Sequence, residues 1–230
     1  MDEGKGEVGM KEIHDVDAHG FVRLVDTMGD DMSVVKAARV SYGNETKGER
    51  ADKKLIHYLM SHNHGTPFEH IVFTFHIKCP IFVARQWFRH RIGSFNEISG
   101  RYTELRTELF TPKLFRQNKT DNHQASIDGD FSEDEVASMM TEWNYALDIA
   151  ESTYQSLLEK GVAREQARAI LPLGTYTEFY WTVNLRSLFN FLSLRTGDDA
   201  QEEMRNYAEK IGEISKESAE WCFEAFESQP

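Results

Sequence analysis

The chain has 230 residues, 40% of them hydrophobic and 12% aromatic, which predicts an ordinary globular protein with one domain over residues 1–230. Its formal net charge of −12 argues against a nucleic-acid-binding surface, because such surfaces carry an excess of lysine and arginine. There is no apolar run of membrane-spanning length and no leader-like start, and Cys79 and Cys222 are the only cysteines, so we expect a cytoplasmic protein that binds no membrane.

The first predicted elements follow an acidic, glycine-rich start, and we expect residues 1–18 to form a flexible extension. The stretch FVRLVDTM is typical of a short strand. Helices are predicted next over DDMSVVKAARVSY and ERADKKLIHYLMSH, with GNETKG as the break between them.

The clearest predicted strand is EHIVFTFHIKC, because its side chains alternate between two faces. One face carries Glu69, Ile71, Phe73, Phe75, Ile77 and Cys79. Pro80 is well placed to begin a short helix over IFVARQWFRHR, which Gly93 would end.

The later half is predicted to be more helical. Ser132 and Glu135 form a capping-box signature, and apolar residues then recur at helical spacing up to Gly161. A shorter helix over VAREQARAIL would place Arg164 and Arg168 on one side. The polar segment at residues 117–131 is interpreted as a mobile surface loop.

Three further elements complete the chain. TYTEFYWTV is typical of a strand, NLRSLFNFLSLR of a helix capped by Asn184, and Asp199 and Glu202 open one last helix. Strands mixed with long, non-alternating helical blocks predict an α+β fold.

An arginine-rich segment, FRHRIGSFNEISGRY at residues 88–102, reverses the charge of the chain locally. Between residues 85 and 106 there are five arginines against Glu97 and Glu104. Phosphate groups are suited to the planar guanidinium groups of arginine, and to the amides and hydroxyls of a glycine- and serine-rich turn. Ion pairs on a solvated face would explain the same density of arginines. Glu97 would orient an arginine or accept hydrogen bonds from a sugar or base, or else form a simple salt bridge.

The same segment resembles the signature of the flavin-dependent thymidylate synthases. In RHRIGSFNEISGRY an Arg-His-Arg triplet is followed by Ser, Asn-Glu and Ser-x-Arg at the spacing of that family, and all eight positions are filled. The blocks HNHGTPFEH, PIFVARQWFRHR, REQARAILP and WTVNLRSLFNFLSLR are similar to other blocks of the family and occur in its order.

The resemblance implies an enzyme that converts deoxyuridylate (dUMP) to thymidylate (dTMP) without a cysteine nucleophile. It implies 5,10-methylenetetrahydrofolate as the carbon donor, and NADPH as the reductant acting through tightly bound FAD. It also implies a single domain of mixed helices with a small, mainly antiparallel sheet, and a homotetramer with active sites at subunit interfaces. These anionic ligands would explain the local excess of arginine.

The resemblance assigns roles to individual residues. Arg195 matches the arginine that polarises the uracil ring, where a fixed guanidinium would stabilise the charge that develops in the transition state. The residues expected to bind dUMP are Gln86, Trp87, Phe88, Arg89, Glu97, Ile98, Ser99, Gly100, Arg101, Arg168 and Arg195. Those expected to bind FAD are His64, Thr66, Arg89, His90, Arg91, Glu97, Asn184, Leu185, Arg186 and Asn190. No metal is expected.

Two alternatives come from other functional classes. Four histidines at positions 62, 64, 70 and 76 suggest a metal-dependent nucleotide phosphohydrolase, but His70 and His76 would stand about 20 Å apart on a strand, too far to share one metal. A non-catalytic nucleotide sensor would use the same arginine-rich turn, although nothing in the sequence resembles an effector domain. Cys79 and Cys222 are interpreted as packing residues.

Overall fold

A five-stranded antiparallel sheet forms the centre of the computed structural model, which describes residues 12–43, 46–102, 108–118 and 126–229. In chain order the strands and helices are β1 (His14–Asp15), β2 (Phe21–Met28), α1 (Asp31–Ala38), α2 (Glu49–Ser61), β3 (Val72–Pro80), α3 (Ile81–Trp87), β4 (Ser94–Glu97), β5 (Arg116–Asn118), β6 (Ser126–Asp128), α4 (Glu133–Glu159), α5 (Arg164–Ala167), β7 (Tyr176–Asn184), α6 (Leu185–Arg195), α7 (Glu202–Lys216) and α8 (Glu220–Glu227). Short 3₁₀ turns cover Val40–Tyr42, Thr66–His70 and Arg168–Ile170.

The strands lie in the order β1-β2-β3-β7-β4, with every neighbouring pair antiparallel. The longest pairing joins β3 to β7, from Val72 opposite Asn184 to Pro80 opposite Tyr176. Strands β5 and β6 form a separate two-stranded sheet. The predicted α+β fold with a small antiparallel sheet is confirmed. Because β4 pairs with β7, the arginine-rich segment lies beside the strand that leads into α6.

The core lies between the sheet and the helices that cover one of its faces. Phe73 and Phe75 of β3 are fully buried, as the alternation predicted. Trp87 of α3 packs edge-to-face on Trp181 of β7 with ring centroids 5.5 Å apart, and stacks on Phe191 of α6 at 5.1 Å. Such aromatic pairs contribute about 0.5–1.5 kcal/mol each beyond area burial. These contacts fix α3, β7 and α6 relative to one another.

Helix caps connect the sequence to the ends of the elements. Ser132 and Glu135 form the predicted capping box of α4, with the Glu135 carboxylate accepting from the Ser132 N–H at 2.9 Å. A second cap was not predicted, because it joins residues far apart in sequence. The Asp31 carboxylate of α1 accepts from the N–H groups of Trp221 at 3.1 Å and Cys222 at 2.9 Å, in the first turn of α8.

The helix predicted to run to Gly93 ends earlier, so that prediction is wrong. Helix α3 stops at Trp87, and Arg89 to Arg91 lie beyond it in irregular backbone. Residues 94–97, which were expected in a turn, form β4, with Ser94 opposite Thr182 at the edge of β7. The chain leaves the helical path because this edge offers partners for its backbone N–H and C=O groups.

Two other helices differ from the prediction. The single last helix is divided into α7 and α8 by a turn in which Ser218 N–H donates to the Ser215 carbonyl at 3.1 Å. The predicted helix VAREQARAIL is only the one-turn α5 followed by a 3₁₀ turn. The 3₁₀ turn ends because the backbone at Leu171 is extended, a conformation that the following Pro172 favours over the helical one.

Residues 12–18, the described part of the extension predicted over residues 1–18, contact the rest of the chain. Strand β1 pairs with β2, and the Asp17 carboxylate accepts hydrogen bonds from the hydroxyls of Tyr176 at 2.7 Å and Tyr207 at 2.8 Å. Residues 1–11 lie outside the described part of the chain, as do residues 119–125 of the predicted polar loop, whose two ends are paired as β5 and β6. Within the described ranges, no helix is long and apolar enough to cross a membrane.

Candidate active site

The predicted site residues of two chain segments face one cavity of about 630 Å³. One segment follows α3. The other begins at Asn184, whose side chain caps α6 by accepting from the Ser187 N–H at 2.9 Å. Residues four apart lie on one face of a helix, so α6 presents a row of side chains to the cavity. The lining residues are Glu69, Arg89, His90, Arg91, Ile92, Trp181, Asn184, Arg186, Ser187, Asn190, Leu194 and Arg195.

The charge of this cavity is strongly positive. Four arginines line it, against one carboxylate, that of Glu69. Arg186 donates from Nη1 to Glu69 Oε1 at 2.6 Å, which leaves its other N–H groups for a ligand. Arginine forks and the carboxamides of Asn184 and Asn190 are donors that suit a pyrophosphate. The donor set therefore fits the phosphates of a bound dinucleotide such as FAD.

Arg195 is held at the end of α6 by two acceptors. Its Nε donates to His90 Nε2 at 3.0 Å, and its Nη2 donates to the Gln86 carbonyl at 3.5 Å. His90 can accept at Nε2 only when its proton is on Nδ1 and the ring is neutral. Burial, and then the positive charge of Arg195, lower the pKa of His90 to about 4, so the ring is neutral near pH 7. Burial also lowers the pKa of the Arg195 guanidinium from its usual value.

Gly93 packs closely against the strand beside the cavity. A Cβ at this position would lie 2.9 Å from both the Thr182 carbonyl oxygen and the indole Nε1 of Trp181. The segment after Arg91 can therefore approach β7 this closely only with glycine at position 93.

A second cavity, of about 450 Å³, adjoins the first and shares Arg186 and Asn190 with it. Gly65 lines this cavity between His64 and Thr66, and a Cβ on Gly65 would lie 2.5 Å from Arg186 Nε. The backbone between these two predicted FAD residues thus lies against the arginine that both cavities share.

Other predicted residues lie toward the opposite end of β7. Glu97 accepts from the Thr177 hydroxyl at 2.7 Å, and Ile98 N–H donates to the Glu178 carbonyl at 2.9 Å. Arg101 forms an exposed ion pair with Glu165 at 3.3 Å. Residues 177 and 184 are about 23 Å apart along a strand. One chain thus presents two separated groups of predicted site residues, one at the cavity and one around Glu97, Ile98 and Arg101. Ser99 and Gly100 lie in the second group, and Arg168 follows α5, the helix that carries the Arg101 partner Glu165.

The predicted side chains of Trp87, Phe88 and Leu185 point into the core rather than into a cavity. Trp87 and Leu185 are fully buried, and Phe88 packs against the same core cluster. The Leu185 N–H already has a hydrogen-bond partner, since it donates to the Ile71 carbonyl at 2.8 Å. Any ligand contact at Trp87 or Leu185 has to involve backbone atoms, whereas the Phe88 side chain is only partly buried.

Neither cysteine is placed to act as a nucleophile. Cys79 and Cys222 are both free and fully buried, as predicted for packing residues. Burial raises the pKa of the Cys79 thiol well above its usual value, and burial with the nearby Asp31 raises that of Cys222. Both therefore remain protonated thiols.

Of the histidines proposed for a metal site, His70 and His76 lie in different elements. His70 lies in the 3₁₀ turn before β3, whereas His76 is bonded within the sheet to Glu178 Oε2 at 3.0 Å and to Arg23 Nη2 at 2.8 Å. Among the residues that the structure describes, no group of three His, Cys, Asp or Glu side chains is arranged to hold a metal ion.

Comparison with known families settles the relationship. Residues 23–220 match the family model described as thymidylate synthase complementing protein. The flavin-dependent thymidylate synthase of Thermosipho africanus is 57% identical over 214 residues, covering 90% of both chains. That of Thermus thermophilus is 54% identical over 208 residues, covering 90% of this chain and 76% of the relative. The chain belongs to the flavin-dependent thymidylate synthase family.

A solved structure with the family fold is similar over most of the chain. The UMP/dUMP methylase PolB from Streptomyces cacaoi, bound with 5-Br dUMP, is 37% identical and superposes with a TM-score of 0.83, covering 91% of this chain and 95% of that one. The same enzyme bound with 5-Br UMP gives the same TM-score.

Three residues that were not predicted as site residues contact predicted ones. Glu69, which belongs to a predicted strand face and to the block HNHGTPFEH, pairs with Arg186. Thr177 lies in the predicted strand TYTEFYWTV, and its hydroxyl donates to Glu97. Gln201, in the segment before α7, accepts from the Gln86 side chain. None of these contacts follows from spacing, because each joins residues distant in sequence.

Proposed function

We propose that this chain makes dTMP by reductive methylation of dUMP. The reaction consumes 5,10-methylenetetrahydrofolate, NADPH and a proton, and yields dTMP, tetrahydrofolate and NADP⁺. FAD, when bound, supplies the hydride chemistry that passes reducing equivalents from NADPH to the product. The observation that carries the proposal is the convergence of four arginines, including the doubly anchored Arg195, on one cavity beside the family signature.

FAD is proposed to lie in the arginine-lined cavity. Arg89, Arg91 and Arg186 would bind its phosphates, while Asn184 and Asn190 would accept or donate at its sugar and ring edges. Further FAD contacts are proposed for His64, Thr66, His90, Glu97 and, through its backbone, Leu185.

The nucleotide dUMP is proposed to use the signature loop. Arg89, Arg101 and Arg168 supply charge for its phosphate, and Ser99 and Gly100 supply a hydroxyl and a backbone N–H. The remaining proposed contacts are Gln86, Glu97, Arg195 and the backbones of Trp87, Phe88 and Ile98. Glu97 accepts from Thr177, so its carboxylate is already oriented before a ligand binds.

Arg195 is proposed as the catalytic residue. As the uracil ring becomes nucleophilic at C5, negative charge grows on its N3 and O4 side, and a fixed cation stabilises that charge more in the transition state than in the ground state. The acceptors at His90 and Gln86 hold Nε and one hydrogen of Nη2, so the guanidinium can present its remaining N–H groups without reorganising. Since both thiols are buried, ring activation is assigned to this cation and not to cysteine attack.

A homotetramer with shared active sites is proposed for the same chain. The two groups of predicted residues lie toward opposite ends of β7, and a symmetric assembly would bring one group of one copy beside the other group of a second copy. We also propose a cytoplasmic location, because both cysteines are free thiols.

Flavin content tests the cofactor assignment. The purified protein is expected to be yellow, and its flavin absorbance to bleach when NADPH is added anaerobically. A colourless preparation that takes up no FAD on incubation would contradict the proposal that this chain is a flavoenzyme.

A further inference from the structure

A chain of four hydrogen-bonded polar side chains connects strand β5 with Gln86 of α3. Arg116 of β5 donates from Nη2 to Glu203 Oε1 at 2.5 Å. Glu203 Oε2 accepts from Gln201 Nε2 at 2.8 Å, and Gln201 Oε1 accepts from Gln86 Nε2 at 2.5 Å. The members of this relay are Arg116, Glu203, Gln201 and Gln86.

The carboxylate at one end determines the orientation of both amides. A carboxylate only accepts hydrogen bonds, so Gln201 has to present its NH₂ group to Glu203 and its carbonyl to Gln86. Gln86 then has to present its own NH₂ group to Gln201, which directs its Oε1 elsewhere. No donor within the described ranges reaches Gln86 Oε1, whereas the backbone carbonyl of the same residue accepts from Arg195.

The carboxylate is itself held in place. The side chains of Glu203 and Arg116 are 16% and 17% exposed, and Arg116 also pairs with Glu202. A charged pair with low exposure and two hydrogen-bonded partners moves less than a surface ion pair. The relay is thus anchored at the Arg116 end, and at its other end Gln86 Oε1 accepts no hydrogen bond from the described residues.

We infer that Gln201 is a positioning residue of the nucleotide site: with Glu203 it holds the Gln86 amide so that a carbonyl acceptor, and not an NH₂ donor, is offered to the ligand. The partner on the nucleotide is then a donor, either a sugar hydroxyl or the uracil imide N–H. This inference rests on the proposed function, in which Gln86 contacts dUMP.

Two variants distinguish a role of Gln201 in orienting the Gln86 amide from a role in packing. Gln201→Leu keeps the approximate volume but removes the acceptor for Gln86, whereas Glu203→Gln keeps the relay polar but allows the Gln201 amide to turn over. For both, the Kd of dUMP for the FAD-loaded enzyme, measured by titration calorimetry, and the KM for dUMP are expected to rise about three- to tenfold, as for the loss of one neutral hydrogen bond. The kcat at saturating dUMP and the FAD content are expected to stay close to wild type for both variants. The melting temperature of Gln201→Leu is expected to do the same, whereas Glu203→Gln also weakens the ion pair with Arg116 and is expected to melt at a lower temperature.

A double-mutant cycle identifies Gln86 as the residue through which Gln201 acts. In a Gln86→Ala background, Gln201→Leu is expected to cause no further rise in the Kd, because the group it orients is gone. Glu209→Gln is the matched control, since it removes an exposed carboxylate on the same helix that pairs only loosely with Arg205 at 4.0 Å. Its Kd is expected to equal that of the wild type.

The outcomes distinguish this inference from the proposed function. If the wild type binds no dUMP, both are overturned. If the wild type binds dUMP while Gln201→Leu and Glu203→Gln retain its Kd, only the positioning role is overturned. A fully additive effect in the Gln86→Ala background would likewise contradict positioning through Gln86.

Discussion

Nε of Arg195 donates a hydrogen bond to Nε2 of His90 across 3.0 Å, and so joins the end of α6 to the segment that follows α3. The two residues are 105 positions apart in sequence. The contact fixes the tautomer of His90, with its proton on Nδ1, and it holds the plane of the guanidinium. A residue of the signature thus orients the proposed catalytic cation.

Replacement of Arg195 tests its catalytic role. Arg195→Ala is expected to retain FAD, because three other arginines line the cavity, but to lower kcat by about 100- to 1,000-fold through loss of a preorganised donor. Arg195→Lys retains the positive charge but lacks the planar guanidinium donors, so it is expected to have more activity than Arg195→Ala and less than the wild type. Flavin absorbance and dTMP formation measure the two properties separately, and wild-type turnover by Arg195→Ala would refute the assignment.

Protonation of His90 is expected to lower the stability of the fold at acidic pH. Its pKa in the folded chain is about 4, below the ordinary value of 6.5, so between these values the unfolded chain binds the proton more readily. The contribution is fully present above pH 6.5 and is lost as the pH falls toward 4.

Urea unfolding at a series of pH values measures this effect. His90→Gln keeps an acceptor for Arg195 but cannot titrate, so its free energy of unfolding is expected to fall less steeply than that of the wild type between pH 6.5 and 4. His70→Gln, at an exposed imidazole, is the control and is expected to follow the wild type. Identical slopes for His90→Gln and the wild type would contradict the buried neutral ring.

The hydrogen bonds that Tyr176 and Tyr207 donate to the Asp17 carboxylate, here called the Asp17 clamp, are expected to stabilise the fold. Tyr207→Phe removes a hydroxyl that donates to the Asp17 carboxylate at 2.8 Å, and is expected to lower the free energy of unfolding by about 1–2 kcal/mol. Tyr145→Phe, at a residue that is 67% exposed, is expected to change it by less than about 0.5 kcal/mol. Equal stability of the two variants in chemical denaturation would show that the clamp contributes nothing.

The cap that Asp31 provides for α8 is expected to be worth a comparable amount. Asp31→Ala leaves the N–H groups of Trp221 and Cys222 without their acceptor, and a loss of about 1–2 kcal/mol is expected. Asp134→Ala, in the exposed first turn of α4, is the matched control, because the Ser132 and Glu135 pair caps that helix. Unfolding of Asp31→Ala at the same urea concentration as the control would contradict a stabilising role of this cap.

Much of the fold was predictable from local pattern. The alternation through Phe73 and Phe75 identified β3 because one face of that strand is buried throughout, and the Ser132 and Glu135 pair identified the start of α4. Strand β4 was not predictable, since residues 94–97 become extended only against the edge of β7. The division of α7 from α8 likewise depends on burial of Cys222 and Phe223 in a core built by other segments.

The candidate site, like the fold, was predictable where it depends on a local sequence pattern and was not where it depends on contacts between distant segments. The signature at residues 89–101 was evident in the sequence, and the resemblance implied that Arg186 and Asn190 share a site with Arg89. The hydrogen bond from Gln86 to Gln201 spans 115 residues and has no local pattern. The hydrogen bond between His90 and Arg195 is equally a product of packing among α3, β7 and α6.

Release of tritium from [5-³H]dUMP tests the central claim most directly, because replacement of the C5 hydrogen is the step that defines dTMP formation. With FAD-loaded enzyme, we expect tritium to appear in water together with dTMP when both NADPH and 5,10-methylenetetrahydrofolate are present, and wild-type rates after Cys79→Ala. An FAD-loaded enzyme that releases no tritium and forms no dTMP under these conditions would contradict the proposed function.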